Sequence, residues 1–594
     1  MTLRAALLLS VACAPMAATA QSAIELDEAF VFSNLLPVEV GRTGTTIEVL
    51  EFAESDTAPQ AVDETLARLP GVSVTSNGGL GTTSTVRIRG LSDIYTGVTF
   101  NGIEITDPSG TQNRFDFGQL ARGSVDRIEV AKGSQTTIYG SDAIAGAINI
   151  TTWRPREDGV SGRATLEAGS YGTVAGSLNF GILDEDTEIA VTLSRTQSDG
   201  FSARVENDEE DGFRQTLLSF SAEQRVGEAV TLGGTAFFVD EYADYDGFTP
   251  TDPVGASDGQ RRGARVFARL DGERIDHEFG VSLYNRKRDE ISSFGPFPFK
   301  GERLKVDYLG TTDLTGGGRL AFGADWTKEK AEVGGPPGFD DSNQAIFAEW
   351  QQPVSETTDV SVSLRHDFYS DFDDVTTGRV AVSFRPDAAT TIRASVGNGY
   401  RAPSLYERFD SFAGNPDLVP EESIGGEIGI ERQFDDGFVR ATLFRTDIDN
   451  LIEYDFTSFA YVQSDVERVA QGVELAGEIT VGSALFFGNY TYTDAKDGDA
   501  EAIRVPRHDL SLGVEMPLGE ASRIAADLLY VSDRVDFGGP MDDYTVVNAT
   551  LSREIAPGQV AYLRVENLFD ESYESIPGYN TAGRSFFAGL RAEF

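Results

Sequence analysis

The chain is poor in the residues that most chemistry needs: 594 residues contain one cysteine, four methionines, three tryptophans and three histidines. A single cysteine excludes a disulfide scaffold and a cysteine-based zinc site. His277, His366 and His508 are widely spaced and form no His-Glu-x-x-His pattern, which argues against a zinc or Ser-His-Asp centre. No stretch of about 18 consecutive apolar residues occurs, so no segment is suited to cross a bilayer as a helix. A β-barrel is not excluded, because each of its strands crosses with about ten residues of which every second faces lipid. Basic residues are scarce too: 49 Lys+Arg against 95 Asp+Glu leave a net charge of -46. That balance excludes the basic surface by which nucleic-acid binders displace counterions, so no nucleic-acid partner is expected, and it favours divalent cations.

What the chain has is glycine, 63 residues of it, with 10% aromatics and many Thr, Ser and acidic residues. This mixture suits many strands joined by polar turns. Arg4, the apolar run 5–12 and the small residues Ala18, Thr19 and Ala20 make the pattern of an export signal over 1–20, cut before Gln21. Val11-Ala12-Cys13 offers a rival lipoprotein acceptor, but Ser10 stands where a bulky aliphatic residue is usual. Cleavage after Ala20 removes the only thiol, which suits a periplasmic or outer-membrane protein.

Residues 65–152 read as a compact α/β unit. Leu66 and Leu69 before Pro70-Gly71 predict a short helix stopped by Pro-Gly, and Thr85 to Gly90 a strand with Val86 and Ile88 on one face and Arg87 and Arg89 on the other. Phe100-Asn101-Gly102-Ile103 is a strand broken by an Asn-Gly turn. Residues 125–152, VDRIEVAKGSQTTIYGSDAIAGAINITT, hold strand, glycine turn, small-residue segment and strand. After the polar hinge 153–158 the pattern changes to period two. Ile189, Val191 and Leu193 alternate with Ala190, Thr192 and Ser194; Val360, Val362 and Leu364 with Ser361, Ser363 and Arg365; Val380, Val382 and Phe384 with Arg379, Ala381 and Ser383; Ala561, Leu563 and Val565 with Tyr562, Arg564 and Glu566. The apolar face packs on a second sheet in a soluble sandwich and faces lipid in a barrel. At roughly 20 residues per strand with its turn, residues 159–594 hold about 22 strands, an even number as in bacterial barrels. Closure also leaves no free edge.

These residues carry a resemblance. Residues 65–152 look like the plug of a TonB-dependent outer-membrane receptor, and Ile138 to Ile150 (IYGSDAIAGAINI) is especially similar to the cobalamin-transporter branch. The ending Asn567-Leu568-Phe569-Asp570 to Tyr579-Asn580-Thr581-Ala582-Gly583-Arg584 looks like the same branch. The last strand, with Phe586, Ala588, Leu590, Ala592 and Phe594 on one face, resembles the terminal signal read by the outer-membrane assembly machinery. The resemblance implies an all-β membrane protein: a 22-stranded antiparallel transmembrane barrel (159–594) with an N-terminal α/β plug (55–153) inside its lumen, behind a tether at 21–54. It also implies a monomer among outer-membrane lipid and lipopolysaccharide.

Within the tether, Asp27-Glu28-Ala29-Phe30-Val31-Phe32-Ser33 is an acid followed by a short apolar extended run, suited to strand addition by a partner. It falls where the family places its TonB box, gripped by the periplasmic energy-coupling protein, although Phe30 and Phe32 replace smaller residues. Asn77, Gly78 and Gly79 lack the Lys-Ser/Thr of a phosphate loop and read as a flexible tip. In the family the matching loop rises to the ligand, and Asp107, Ser109, Gln112 and Asn113 are expected to join it.

Glu209 and Asp211 in an acidic run, and Asp240 and Asp246 some thirty residues later, crowd carboxylates on adjacent hairpin loops. Such groups repel unless a hard cation accepts them, and Ca²⁺ takes six to eight oxygens flexibly; a solvated charge run is the alternative. In cobalamin transporters paired calcium ions stiffen loops at these places. Here Glu209 stands for an aspartate, and Ser202 for another, with Asp199 as a substitute; one ion, two or none remain open.

Arg89 and Lys132 are basic residues on a domain that would sit in a polar lumen. The family places partner glutamates at Glu421, with Glu422 beside it, and at Glu474. Such pairs would latch the plug, although Lys132 replaces a more usual arginine and Ser134 a proline. No histidine lies between Ser404 and Gly414, which weakens a haem cargo. The implied function is TonB-coupled import of cobalamin or a related corrinoid, with no covalent cofactor and no catalysis. A ferric-siderophore receptor of the same fold is the nearest alternative, and an outer-membrane enzyme or adhesin barrel the alternative of another class.

Overall fold

The computed structural model describes residues 34–36, 38–52, 61–246, 255–292 and 295–594. The expected export signal, 1–20, and the expected coupling segment, 27–33, lie outside these residues.

The plug is built on a five-stranded sheet. Its order is Ile47–Glu51, Arg127–Lys132, Gly146–Thr151, Thr96–Phe100, Ile103–Glu104, and Thr96–Phe100 and Gly146–Thr151 are its one parallel pair. Asn101 and Gly102 both take positive φ, 48° and 76°, as the tight turn between Phe100 and Ile103 demands. A hairpin, Val72–Ser76 with Ser84–Ile88, stands apart from the sheet, after the short helix Val62–Leu66 that the Pro70-Gly71 break follows. Val62, Leu66, Val86, Ile88, Phe117, Ile128, Ile148 and Ile150 are all buried in one core. Burial of each is worth roughly 1.5–3 kcal/mol. The sheet starts at Ile47, so its first edge strand comes from what the sequence assigned to the tether.

From Gly159 the chain forms a closed barrel of 22 antiparallel strands. The last strand, Ser585–Glu593, pairs with the first, Gly159–Gly169, and Phe594 exchanges backbone hydrogen bonds of 2.7 and 3.0 Å with Gly162. The period-two pattern sorts the two faces. Leu193, Leu364, Val380, Leu563 and Phe586 are exposed on the outside, whereas Thr192, Ser194, Ser363, Arg365, Arg379 and Arg564 are buried toward the lumen. An apolar outer surface on a closed sheet is what a lipid-embedded barrel requires. Strands meet in short turns such as 184–186, 227–229 and 271–275 at one end and in long loops such as 199–212, 402–420 and 450–467 at the other. Short turns mark the periplasmic end and long loops the extracellular end.

The plug fills the lumen. Its core runs on into inward-facing wall residues Leu217, Phe237, Val239, Tyr284 and Ile448. Elsewhere the plug meets the wall through smaller apolar clusters, such as Ala67 with Leu529, Val531 and Val546, through neutral hydrogen bonds and through ion pairs.

Candidate functional site

A buried charge network joins plug to wall. Strand Ser84–Ile88 buries Val86 and Ile88, and Arg89 then leaves it with φ 54°, which turns its side chain toward the barrel. Arg89 Nε and Nη2 donate to Glu474 Oε1 and Oε2 at 2.9 and 3.1 Å, and Nη1 lies 2.6 Å from Glu427 Oε2. Gly71, with φ 68°, makes room: a Cβ there would stand 2.0 Å from Glu474 Oε1. Lys132, fully buried, reaches Glu48 Oε1 at 3.0 Å and Glu474 Oε2 at 3.3 Å. Glu48 also pairs with Arg440 of the wall. Burial alone would push the Glu48 carboxyl up, but Arg440 and Lys132 bring it down to about 2. Two plug cations, one plug carboxylate and three wall groups thus compensate each other in a desolvated space.

Glu421 is a correction. Its oxygens are taken by Arg401 of the barrel at 2.8 and 3.0 Å and by the backbone N–H of Ile452 at 2.7 Å, and its link to the plug runs through the Tyr95 hydroxyl. Glu427, on the same strand and facing the same way, is the group that meets Arg89. Glu427, Glu48 and Arg440 were missed by sequence reasoning. The available signal was Glu427 as a lone acid between the outward-facing Ile424 and Ile428.

The acidic loops come together in part. Glu209, Asp211 and Asp246 offer carboxylate oxygens all within 4.8 Å of one another. Asp211 Oδ2 accepts from the Ala203 N–H and Asp246 Oδ2 from the Arg204 N–H, each at 2.7 Å. Glu209 Oε1 and Asp211 Oδ1 are buried without a hydrogen-bond donor. Burial, reinforced by the Asp246 and Glu209 charges, pushes the Asp211 carboxyl up to about 7. Oxygens without donors, on carboxylates that repel one another, fit a hard cation such as Ca²⁺. Two expected ligands are not in this group. Asp240 is exposed on the outside of strand Val230–Tyr245, where it accepts from Gln260 at 3.1 Å. The strand continues further than a loop reading allows, and alternation turns Glu241 inward to Arg261 and Arg286 instead. Asp199 is exposed beside Gly172, outside the cluster.

The plug tip leans on the same loop. A Cβ on Gly78 would stand 2.8 Å from the Ala203 side chain and one on Gly79 3.1 Å from the Phe201 ring, while Asn77 N–H bonds to Thr83 O at 3.0 Å. The backbone N–H of Ala203 holds Asp211, so cluster and tip are mechanically joined. Asp107 and Ser109 depart from the expectation of exposed ligand contacts. Both are buried: Asp107 Oδ1 accepts from the Ser109 N–H and Oγ at 2.9 and 2.7 Å, and Oδ2 pairs with Arg288 of the wall at 2.8 Å. The Asp-Pro-Ser turn satisfies its own carboxylate, and Arg288 and Arg286 outweigh burial to hold that carboxyl below the ordinary value. Gln112 and Asn113 are half-buried, and Asn113 Oδ1 has no donor. The three histidines stay apart; the ring nitrogens of His277, His366 and His508 meet Tyr308, Thr376 and Tyr490 respectively.

Comparison with known proteins agrees with this architecture. The family profile described as "TonB dependent receptor-like, beta-barrel" matches residues 79–568. The chain is 28% identical to the vitamin B12 transporter BtuB of Photobacterium profundum, covering 99% of both chains. It is 25% identical to BtuB of Vibrio cholerae, covering 95% of both. Among solved structures, the ferric enterobactin receptor PfeA of Pseudomonas aeruginosa superposes with a TM-score of 0.79 at 18% identity, covering 92% of this chain and 98% of that one. The ferric yersiniabactin uptake receptor FyuA of Yersinia pestis gives 0.76 at 17%, covering 93% and 98%. At those identities the likeness is one of fold.

Proposed function

The chain belongs to the TonB-dependent receptor-like β-barrel family, the outer-membrane receptors of nutrient import, and we propose that its cargo is cobalamin or a related corrinoid. The observation that carries this reading is the end-to-end match, 99% of both chains, to a protein named as a vitamin B12 transporter. The Glu209–Asp211–Asp246 cluster supports it. A Ca²⁺ ion bound there would stiffen the loop that carries Phe201 and Ala203 against the plug tip, and so present a firm surface for a large rigid ligand.

In this reading, residues 1–20 direct export and the extracellular loops capture the corrinoid with the tip at Asn77, Gly78 and Gly79. Gln112 and Asn113 contribute from below. Binding changes the exposure of residues 27–33 to the periplasmic coupling protein, which adds a strand and pulls. The network of Arg89, Lys132, Glu427 and Glu474 holds the plug until that work is done. Transport of this kind makes and breaks no covalent bond of the cargo, and the named relatives are transporters.

Titration of the purified receptor with labelled cobalamin, with and without Ca²⁺, tests the proposal. Saturable binding that tightens with Ca²⁺ is expected. Absence of saturable cobalamin binding in both conditions, with binding of a ferric siderophore in its place, would overturn the cargo; equal binding in both would remove the cation's role.

A further inference from the structure

Two cavities lie end to end between the plug and one sector of the wall. The lower, of about 440 Å³, opens among Arg154, Glu223, Arg269 and Glu278 near the periplasmic turns. The upper, of about 90 Å³, reaches Asp341, Tyr369, Phe372 and Arg408 beneath the long loops. Both are bounded by Glu104, Tyr139, Ser141 and Asp142 of the plug and by Arg303 and Lys305 of the wall. Those side chains therefore form the neck that separates the two cavities.

At the neck the plug meets the wall through a charge pair and a turn. Arg303 is held by the plug through Glu104 at 3.1 Å and the Thr106 carbonyl at 3.1 Å, and by its own wall through Glu329 at 2.6 Å, so a wall partner remains if the plug withdraws. On the plug side stand the end of the short helix Thr136–Tyr139 and a turn, with Gly140 at φ 83° and Asp142 at φ 74°. That turn lies outside the sheet ladder and is tied to the barrel by two hydrogen bonds: Ser141 Oγ accepts from the Ala402 N–H at 2.9 Å, and the Asp142 N–H donates to Tyr400 O at 3.3 Å. The Arg89–Glu427–Glu474 network holds a different sector. Moving the turn costs few backbone hydrogen bonds, whereas moving the sheet costs its whole ladder.

We infer that the two cavities join into one passage through which cargo crosses the receptor, opened when the turn around Ser141 leaves Ala402 and Glu104 leaves Arg303, with the five-stranded sheet still folded. The inference rests on the chain's being a transporter and not on which cargo it carries.

Paired cysteines test it in the receptor in outer membranes; the one native cysteine of the sequence, Cys13, falls within the expected export signal. Ser141→Cys with Ala402→Cys ties the turn to the rim. Ser124→Cys with Ser194→Cys ties the plug in another sector, where the two hydroxyl oxygens are 3.3 Å apart. Bridge formation is scored by loss of thiol labelling. The oxidised 141/402 receptor is expected to bind cobalamin without taking it up and to regain uptake on reduction, while the oxidised 124/194 receptor takes it up like its reduced form. Uptake that survives the first bridge, or is lost equally with both, overturns the route. A second arm needs no cargo. Lys305→Cys should react with a water-soluble thiol reagent in the resting receptor, and Ser511→Cys, buried on the opposite wall, should not. An unreactive Lys305→Cys overturns the passage. If no form binds cobalamin while Lys305→Cys reacts, the cargo is wrong and the passage stands, and the same bridges are then scored by ferric siderophore uptake.

Discussion

Glu474 binds Arg89 through both carboxylate oxygens, at 2.9 and 3.1 Å, and the second of these lies 3.3 Å from Lys132 as well. One wall carboxylate thus compensates two buried cations of the plug. A desolvated group of this kind contributes little net stability while complete and a large penalty when broken, which suits a latch that must hold at rest and give under load.

Glu474→Ala should therefore loosen the plug. Loss of the shared carboxylate leaves Glu427 as the remaining carboxylate of Arg89 and Glu48 as that of Lys132, at a cost of about 3–5 kcal/mol for a broken buried pair. A lower unfolding temperature and increased entry of a large antibiotic into cells are the expected readouts, with Glu474→Gln intermediate. Unchanged permeability with full expression would mean the network is not a latch.

Glu427→Ala and Glu421→Ala should separate. Glu427 touches Arg89 of the plug, so its loss should raise permeability as Glu474→Ala does. Glu421 shares Arg401 with Glu407, and Glu407 forms the capping box of the loop helix Leu405–Phe409 with Ser404. Its loss should instead expose residues 404–418 to protease while the plug stays seated. The reverse assignment of the two phenotypes would restore Glu421 as the latch.

Asp211 gives the loop a pH dependence whose sign follows from its raised carboxyl. Its folded value of about 7 lies above the ordinary 3.8, so the folded loop holds the proton more tightly than the unfolded chain does. The stability this group contributes is present below about pH 4 and is lost as pH rises through 7. A cation needs the carboxylate, so Ca²⁺ affinity should fall by about tenfold for each pH unit below 7. Calorimetric Ca²⁺ titration between pH 5 and 8 measures the affinity, and thermal unfolding without Ca²⁺ between pH 4 and 8 measures the stability. Asp211→Asn should abolish binding, whereas Asp199→Asn and Asp240→Asn should leave it intact.

Deletion of residues 27–33 should abolish uptake of labelled cargo and spare its binding to whole cells. Loss of binding together with uptake would assign the segment to the fold and not to energy coupling.

Much of the architecture was legible because its signals are local. Alternation along a strand is a property of the strand itself, so the buried Ser363 and Arg365 on either side of the exposed Leu364 could be assigned before their neighbours were known. The Asn101-Gly102 turn needs only two residues that tolerate positive φ. Site residues fared differently. Glu421 and Glu427 have the same parity on one strand, and nothing in a single chain ranks them; the choice depends on which stands level with Arg89, hundreds of residues earlier. Asp240 was misplaced because the length of strand Val230–Tyr245 could not be read from its acidic end. Asp107 was taken for a ligand contact because its partner Arg288 belongs to a strand far along the chain.

The sequence by itself determined that this chain makes many strands with one apolar and one polar face, that a small α/β unit precedes them, and that acidic residues crowd two stretches, since each follows from residue type and spacing alone. Only the tertiary structure decided that Glu427 and Glu474 are the partners of Arg89, that Glu209, Asp211 and Asp246 converge without Asp199 and Asp240, and that the plug leaves two cavities along one sector of the wall. Those outcomes depend on how a folded plug is seated within a closed barrel. That seating is set by the sum of packing and ion pairing over the whole interface, and no local stretch of sequence carries it.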